Sequence, residues 1–206
     1  FRSPPPAPSG GAADGELAFD VLDFVPSQTL QRDASVQQLA VQTDAMGVGG
    51  SGPIRTDVAP KVAGAATQWG PARLAVRVGR GSPGWRLLGQ KLASRIPHES
   101  EIAFELIEPS ANAALGAATL SLATLLRSHA DGARLELPVH ADKSLGVGGR
   151  LLGKLRIACH GLPTLHAAAV AAARSGYAGA GAGLGGSIVG GVDAPLASVS
   201  SRRPLS

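Results

Sequence analysis

The side chains best suited to catalysis in this sequence are five histidines and a single cysteine. They are His98, His129, His140, His160, His166 and Cys159. None of the histidines falls at a spacing typical of metal ligands or beside a motif for an activated nucleophile. Cys159 ends a strand-like run and precedes His160, an arrangement more typical of a buried structural thiol than of a reactive one. We therefore expect a protein that is not an enzyme and that uses no metal or cofactor.

Two glycine-rich segments have the spacing of a dinucleotide-binding loop. The first spans residues 47–52, and the second contains Gly181, Gly183 and Gly186. A dinucleotide site also needs a helix that begins directly after the loop, because the N–H groups of its first turn hold the pyrophosphate. Pro53 and a predicted strand follow the first segment, and the second lies in a glycine- and alanine-rich tail. Neither segment predicts a nucleotide site.

The charge and the cysteine count limit the classes of partner and compartment. The formal net charge is +4, and no dense basic cluster with aromatic residues is present, so we expect no nucleic-acid partner. A single cysteine excludes an internal disulfide framework and favours a reducing compartment, for which the cytoplasm is the natural interpretation. No run of about 18 apolar residues occurs, so the sequence predicts no transmembrane segment.

Alternating apolar and polar residues divide the central part of the chain into short strands. The most regular stretch covers 101–126, where Ile102 and Phe104 alternate with polar or small residues, a polar turn follows, and a second run places Leu120 and Leu122 on one face. Eight strands are predicted, at 16–21, 36–42, 54–58, 73–78, 101–107, 115–122, 135–139 and 151–158. The segment 23–32 is interpreted as a polar connection.

These strands predict an all-β fold, an eight-stranded antiparallel β-sandwich over residues 16–160. The Pro- and Gly-rich residues 1–15 are expected to be disordered, as is the Ala- and Gly-rich tail 161–206 apart from a short helix at 165–174. A second short helix is predicted as an insertion at 85–96, between two strands.

The inserted helix combines apolar residues at helical spacing with cations. Its members are Trp85, Arg86, Leu88, Lys91, Leu92 and Arg95. A tryptophan with neighbouring cations is typical of a helix that lies in a membrane interface. The alternative is that the helix covers an open edge of its own sandwich, which its short length and Gly89 favour.

The order of these features resembles the C2 domain family, the eight-stranded sandwiches of lipid-binding and scaffold proteins. The similar segments are 16–21, Asp33 with Val36, Thr56 with Trp69, 102–108, 115–122, 134–137 and 153–157. Together they span residues 16–160. The strongest part of the resemblance is the pair 102–108 and 115–122, with the Leu115–Gly116 step.

The resemblance implies where a calcium site would lie. Calcium-binding C2 domains gather carboxylates from two loops at one end, since this hard cation requires several oxygen ligands. The matching loops of this sequence hold Asp33 in one and Glu108 with Asn112 in the other. One carboxylate in each loop is too few for tight binding, so the resemblance predicts a calcium-independent member in which these residues are solvated loop positions.

The resemblance also implies a basic patch on one face of the sheet, which in some members contacts anionic lipid headgroups. Arg73 and Arg77 project from one face of a predicted strand, and Arg55 and Lys61 lie on or near its neighbour. These four residues form the predicted patch. The alternative is that they keep an exposed face soluble, and Asp57 beside them weakens the positive field.

Two functions follow from the resemblance. The first is a non-catalytic binding module that is recruited, without calcium, to an anionic phospholipid surface, so that the protein lies at the periphery of a membrane. The second is a protein–protein scaffold domain that binds no lipid, for example in a cytoskeletal or ciliary assembly.

Overall fold

The computed structural model describes residues 15–50, 52–94, 96–141 and 149–180. Within these ranges the chain forms nine β-strands, which are β1 Glu16–Pro26, β2 Gln38–Thr43, β3 Ile54–Arg55, β4 Ala59–Pro60, β5 Arg73–Arg77, β6 Glu101–Glu108, β7 Ala113–Ser121, β8 Ala133–Ala141 and β9 Leu151–His160. The same ranges contain four α-helices, which are α1 Gln28–Arg32, α2 Pro83–Ala93, α3 Leu122–Ser128 and α4 Leu162–Ala180. Short 3-10 helices occur at Ala45–Gly47 and Pro97–Ser100.

The strands form one antiparallel ladder that folds back on itself. Its order is β3-β2-β6-β7-β8-β9-β1-β5, and β4 also pairs with β2. Strands β7 and β8 share only two residue pairs, Gly116 with Ala141 and Ala117 with His140, whereas β6–β7 and β8–β9 pair along most of their lengths. The ladder bends at this short pairing, so β3-β2-β6-β7 and β8-β9-β1-β5 form the two layers of a sandwich.

The hydrophobic core lies between the two layers. Phe19 of β1 and Phe104 of β6 are fully buried and meet edge to face, with ring centroids 5.1 Å apart and ring planes at 80°. Strand β5 shows the pattern that builds this core, since Leu74 and Val76 are buried while the residues that alternate with them are exposed. Such alternation places every second side chain between the layers.

Three helices close one end of the sandwich. Helices α2, α3 and α4 follow the carboxyl ends of β5, β7 and β9, which run in the same direction. Trp85 and Leu88 of α2 and Leu165 of α4 are buried. Where α2 meets α4, a Cβ atom on Gly89 would lie 2.9 Å from the carbonyl oxygen of Ala168. The helices therefore pack closely enough to require a glycine at that contact.

The predicted all-β antiparallel sandwich is confirmed. The number of strands differs, because the predicted strand at 54–58 ends as β3 at Arg55 and a separate strand, β4, follows at Ala59–Pro60. Thr56 lies between these two strands and donates its N–H to Val41 O at 2.9 Å. The Val41 N–H donates to the Thr56 hydroxyl, at 3.0 Å, so this side chain replaces a backbone acceptor and interrupts the ladder.

Two predicted strand boundaries are wrong. Strand β1 continues beyond residue 21 because a bulge between Val21 and Asp23 interrupts its alternation, and serine caps start helices after β1 and β7. The segment 23–32, predicted as a connection, contains the end of β1 and then α1, which the side chain of Ser27 caps. Leu122, predicted to extend a strand, is the first residue of α3, and the Ser121 side chain caps that helix. A serine at this position satisfies an N–H group of the first helical turn.

The two predicted helices are present with different bounds. The helix predicted at 85–96 corresponds to α2, and the helix predicted at 165–174 lies within the longer α4, whose Leu162 and Leu165 belong to the core. The prediction of disorder is wrong for 162–164 and 175–180, which belong to α4. Apart from these residues, Gly15 and Gly161, the segments predicted to be disordered lie outside the described residues. No helix in the described ranges is both long and apolar enough to cross a membrane.

Replacing Gly116 with alanine is expected to destabilise the fold by about 2–3 kcal/mol. A Cβ atom at this position would lie 2.1 Å from the carbonyl oxygen of His140, at the pairing where the ladder bends. Gly70→Ala is the matched control, because nothing lies within 4 Å of its Cβ position, and it should change stability by less than about 0.5 kcal/mol. Urea denaturation measures both variants. Equal stability of the two would contradict this account of the bend.

Candidate functional site

The loops that the C2 resemblance assigns to calcium lie at the end of the sandwich opposite to helices α2, α3 and α4. They follow the carboxyl ends of β1 and β6, which run antiparallel to β9 and β7. We call this region, formed by residues 27–37, 61–66 and 108–112, the loop end. Both predicted carboxylates, Asp33 and Glu108, belong to it.

The Asp33 carboxylate is held within its own loop. Asp33 Oδ1 accepts hydrogen bonds from the Ser35 hydroxyl at 2.5 Å and from the Ser35 N–H at 3.0 Å. These bonds, together with the positive charges of Lys61 and Arg150, hold the pKa of the Asp33 carboxyl below its ordinary value. The carboxylate therefore remains ionised while its loop and two cations stabilise its charge.

The ammonium group of Lys61 lies against the same loop. Lys61 Nζ donates hydrogen bonds to the carbonyl oxygen of Leu30, at 2.9 Å, and to that of Asp33. The Lys61 N–H donates to Gln37 O at 2.8 Å, which fixes the start of its segment beside the loop. Backbone carbonyls are among the oxygens that calcium takes as ligands. At the loop end, a cation of the protein itself binds such oxygens.

Glu108 was expected to be a solvated loop position, but it is buried at the end of β6. The loop that follows satisfies its carboxylate. Glu108 Oε2 accepts hydrogen bonds from the Ser110 hydroxyl at 2.6 Å and from the Ala111 N–H at 3.0 Å. These bonds hold the pKa of the Glu108 carboxyl below its ordinary value. Asn112 closes the turn with a left-handed backbone, φ 47°, and its side-chain oxygen lies 3.5 Å from Arg55 Nη2. Within the described residues, no group of three or more His, Cys, Asp or Glu side chains could hold a metal ion.

The four residues of the predicted basic patch occupy different surroundings. Lys61 belongs to the loop end. Arg55 of β3 donates to the Gln42 side chain through Nε, at 3.2 Å, and Nη2, at 2.7 Å. Arg73 of β5 pairs with Glu16 at 3.3 Å, and Glu16 is also the cross-strand neighbour of Arg77. The four residues therefore do not form one patch. The two arginines of β5 have the acidic residue Glu16 beside them.

A row of charged pairs on the outer face of β8, β9 and β1 was not predicted. Arg156 of β9 binds Asp23 of β1 through two parallel hydrogen bonds, of 2.6 and 2.5 Å, and Lys154 of β9 binds Glu136 of β8 at 2.6 Å. The outward positions are visible in the strand alternation, but the partners belong to strands distant in sequence. These pairs neutralise Arg156 and Lys154 on this face.

The predicted interfacial helix, α2, divides its residues between the core and the surface. Trp85 and Leu88 are buried and Leu92 is partly buried, whereas Arg86 is exposed and Lys91 is partly exposed. Arg95 lies outside the described residues. The apolar side of α2 therefore packs on its own domain and leaves its cations outside.

The three helices at this end share a charge pattern that the sequence analysis missed. We call α2, α3 and α4 together the helix layer. Its charged residues are Arg86, Lys91, Arg127 and Arg174, and the residues of these three helices include no Asp or Glu. A cavity of about 670 Å³ lies between α2 and α4, with Arg86 and Ser175 in its lining together with one acidic residue, Glu99, from the adjacent 3-10 helix. The charged side chains of the helix layer are therefore all cations, while Glu99 and Asp131 lie beside it, and Asp131 accepts hydrogen bonds from Gly161 N and Leu162 N at the start of α4.

Cys159 and His160 do not form a catalytic pair. Adjacent residues on a strand point to opposite faces, and Cys159 is fully buried in the core while His160 lies on the outer face. There, His160 Nε2 is 2.9 Å from Asp20 Oδ2. Burial raises the pKa of the Cys159 thiol to about 12, so the residue remains a neutral thiol at physiological pH.

Comparison with known proteins gives similar structures but no sequence match. No family model and no curated protein matches the chain. Among solved structures, it is similar to a C2 domain-containing protein, with 13% identity and a TM-score of 0.46 over 71% of this chain and 87% of that one. It is also similar to a C2 domain of plant extended synaptotagmin 1, with 13% identity and a TM-score of 0.42 over 71% of this chain and 92% of that one.

A third similar structure contains two C2 domains of extended synaptotagmin 2 with calcium bound, at 16% identity and a TM-score of 0.40 over 70% of this chain and 42% of that one. All three structures are of C2 domains by name, the family that the order of sequence features resembles. Each TM-score is below 0.5. The strand pairing within this chain is therefore what identifies the sandwich.

Replacing Lys61 with methionine is expected to destabilise the domain by about 1–2 kcal/mol, because the carbonyls of Leu30 and Asp33 lose a charged donor. Lys154→Met is the matched control. It removes an exposed pair with Glu136 and should cost less than about 0.5 kcal/mol. Urea denaturation gives the stabilities, and hydrogen exchange should show faster opening of residues 27–37 in the first variant alone. Unchanged exchange in that loop would refute the proposed role of Lys61.

The Cys159 thiol is expected to react with dithionitrobenzoate at pH 8 at least ~100-fold more slowly in the folded protein than in urea. The reason is its complete burial and raised pKa, which leave little accessible thiolate. Absorbance of the released chromophore measures the reaction. Equal rates with and without urea would mean that the thiol is accessible in the folded state.

Proposed function

We propose that the chain is a non-catalytic binding module that is recruited to anionic membrane surfaces without calcium. The observation that carries calcium independence is the position of Lys61, whose ammonium group binds the carbonyl oxygens of Leu30 and Asp33. A calcium ion at this loop would have to displace that cation or bear its repulsion. The Asp33 and Glu108 carboxylates would also have to give up the hydrogen bonds within their own loops.

The charge of the helix layer supports an anionic surface as the partner. Its four cations lie on three adjacent helices at one end of the domain, and Arg86, Arg127 and Arg174 are exposed. A cation close to an anionic bilayer contributes about 1 kcal/mol, and several together give measurable association. Glu99 and Asp131, which lie beside the helix layer, reduce this field locally. On the sheet faces, by contrast, Arg73, Lys154 and Arg156 pair with carboxylates.

Vesicle co-sedimentation tests the proposal. Binding to phosphatidylcholine vesicles that contain phosphatidylserine should be the same in calcium and in EGTA, and it should fall as salt is raised. Arg86→Glu with Arg174→Glu should weaken the binding at least about tenfold. The matched control is Arg32→Glu with Arg150→Glu, which changes the net charge equally at the opposite end and should retain most of the binding.

The other outcomes are informative. Binding that requires calcium would refute calcium independence. Loss of binding in Arg73→Glu with Arg77→Glu, but not in the helix-layer variant, would move the lipid contact to the predicted sheet patch. Absence of binding to any vesicle would refute membrane recruitment and favour the protein-scaffold alternative.

A further inference from the structure

Strand β5 ends the ladder and presents one open edge. It pairs with β1, with Leu74 opposite Phe19 and Val76 opposite Leu17. At the other end of the ladder lies β3, and within the described residues no strand pairs with the outer side of β5. The strand contains no proline and its pairing with β1 has no register shift. It is therefore a regular edge to which another strand can add.

The direction of its backbone groups follows from a hydrogen bond just beyond the strand. Val78 N donates to Gly15 O at 2.5 Å, so Val78 faces β1. Residues two apart along a strand direct their N–H and C=O groups to the same side. Val76 and Leu74 therefore also face β1, and the N–H and C=O groups of Ala75 and Arg77 are directed to the open edge.

Space exists beside this edge for an approaching chain. A cavity of about 310 Å³ is lined by three consecutive residues of β5 on one side, and on the other by Asp44, Gly49, Gly52 and Ile54. Nothing lies within 4 Å of the position that a Cβ atom on Gly52 would take. Asp44, the acidic residue of the lining, already accepts a hydrogen bond from Met46 N at 2.9 Å.

The exposed side chains of β5 favour an added strand of one charge. Arg73, Ala75 and Arg77 are exposed on the same face. In a strand added beside β5, the residues opposite the two arginines would be four positions apart on one face. Opposite charges at cross-strand positions are stabilising, and like charges are destabilising. Arg73 donates a hydrogen bond to Glu16 and lies 3.9 Å from Asp20, and both carboxylates belong to β1, on the side of β5 away from the added strand.

A second copy of this chain is a poor occupant of the edge. Antiparallel pairing of two β5 strands about a two-fold axis at Ala75 would place Arg73 of one copy opposite Arg77 of the other, and the reverse. Both cross-strand pairs would then join like charges. We propose that the β5 edge is the docking site for an extended acidic segment of a partner protein, which adds as a strand with carboxylates opposite Arg73 and Arg77.

The test uses two capped synthetic peptides, Glu-Val-Thr-Val-Glu and Lys-Val-Thr-Val-Lys. Each sequence reads the same in both directions, so parallel and antiparallel addition present the same side chains. Fluorescence anisotropy with labelled peptides, without lipid, measures their affinities, so the result is independent of vesicle binding. The glutamate peptide should bind at least about tenfold more tightly than the lysine peptide.

Two substitutions distinguish strand addition from simple charge attraction. Ala75→Pro removes an N–H directed to the open edge, which an edge strand tolerates, and should abolish binding of the glutamate peptide. Ala75→Thr keeps that N–H and should retain binding. Arg77→Glu should abolish the preference between the two peptides, because each peptide then faces one opposite and one like charge across the strands. Thermal melting verifies that each variant is folded.

Three results would overturn the inference. One is equal binding of the glutamate peptide to Ala75→Pro and to the wild-type chain. Another is an unchanged peptide preference in Arg77→Glu, a variant that tests the inference even if the proline variant fails to fold. The third is a concentration-dependent dimer in sedimentation that Ala75→Pro abolishes, which would assign the edge to a second copy.

Discussion

The two residue pairs between β7 and β8 are the constraint on which the rest of the structure depends. A long pairing would continue the sheet in one layer, whereas two pairs allow the ladder to turn. Gly116 makes the turn possible, because the carbonyl of His140 approaches to a distance at which any Cβ atom would collide. The turn brings β1 over β6, so that Phe19 meets Phe104 in the core. It also places all three larger helices at one end and the candidate calcium loops at the other.

Most of the sandwich could be predicted because strand alternation is a local property of the sequence. Strands β5 and β6 show it within five to eight residues, and their buried faces need no knowledge of the partner strands. The errors occur where one side chain overrides the alternation. The Thr56 hydroxyl replaces a backbone acceptor just after β3 ends. Ser121 caps a helix where Leu120 and Leu122 suggest a continued strand.

The candidate site was less predictable, because its chemistry depends on pairs that are distant in sequence. The sequence shows Lys61 as one more cation near a strand, and only the fold brings its ammonium group to carbonyls 28 and 31 residues away. Asp23 and Arg156 are 133 residues apart, so no local pattern reveals that this arginine is neutralised. The helix layer was missed for a different reason. The alanine-rich composition of α4 resembles a tail, and only the contact with Gly89 shows why small residues are required there.

The pairing of β1 with β9 has a consequence for how the chain folds. These strands are neighbours in the middle of their layer, yet they come from opposite ends of the described sequence. During synthesis, the apolar face of β1 stays incompletely covered until β9 and the first turns of α4 have left the ribosome. A fold dominated by such distant contacts forms slowly. Until it forms, the uncovered apolar surface can cause aggregation. Exposure of this apolar surface during synthesis is thus a property of the strand order rather than of any single residue.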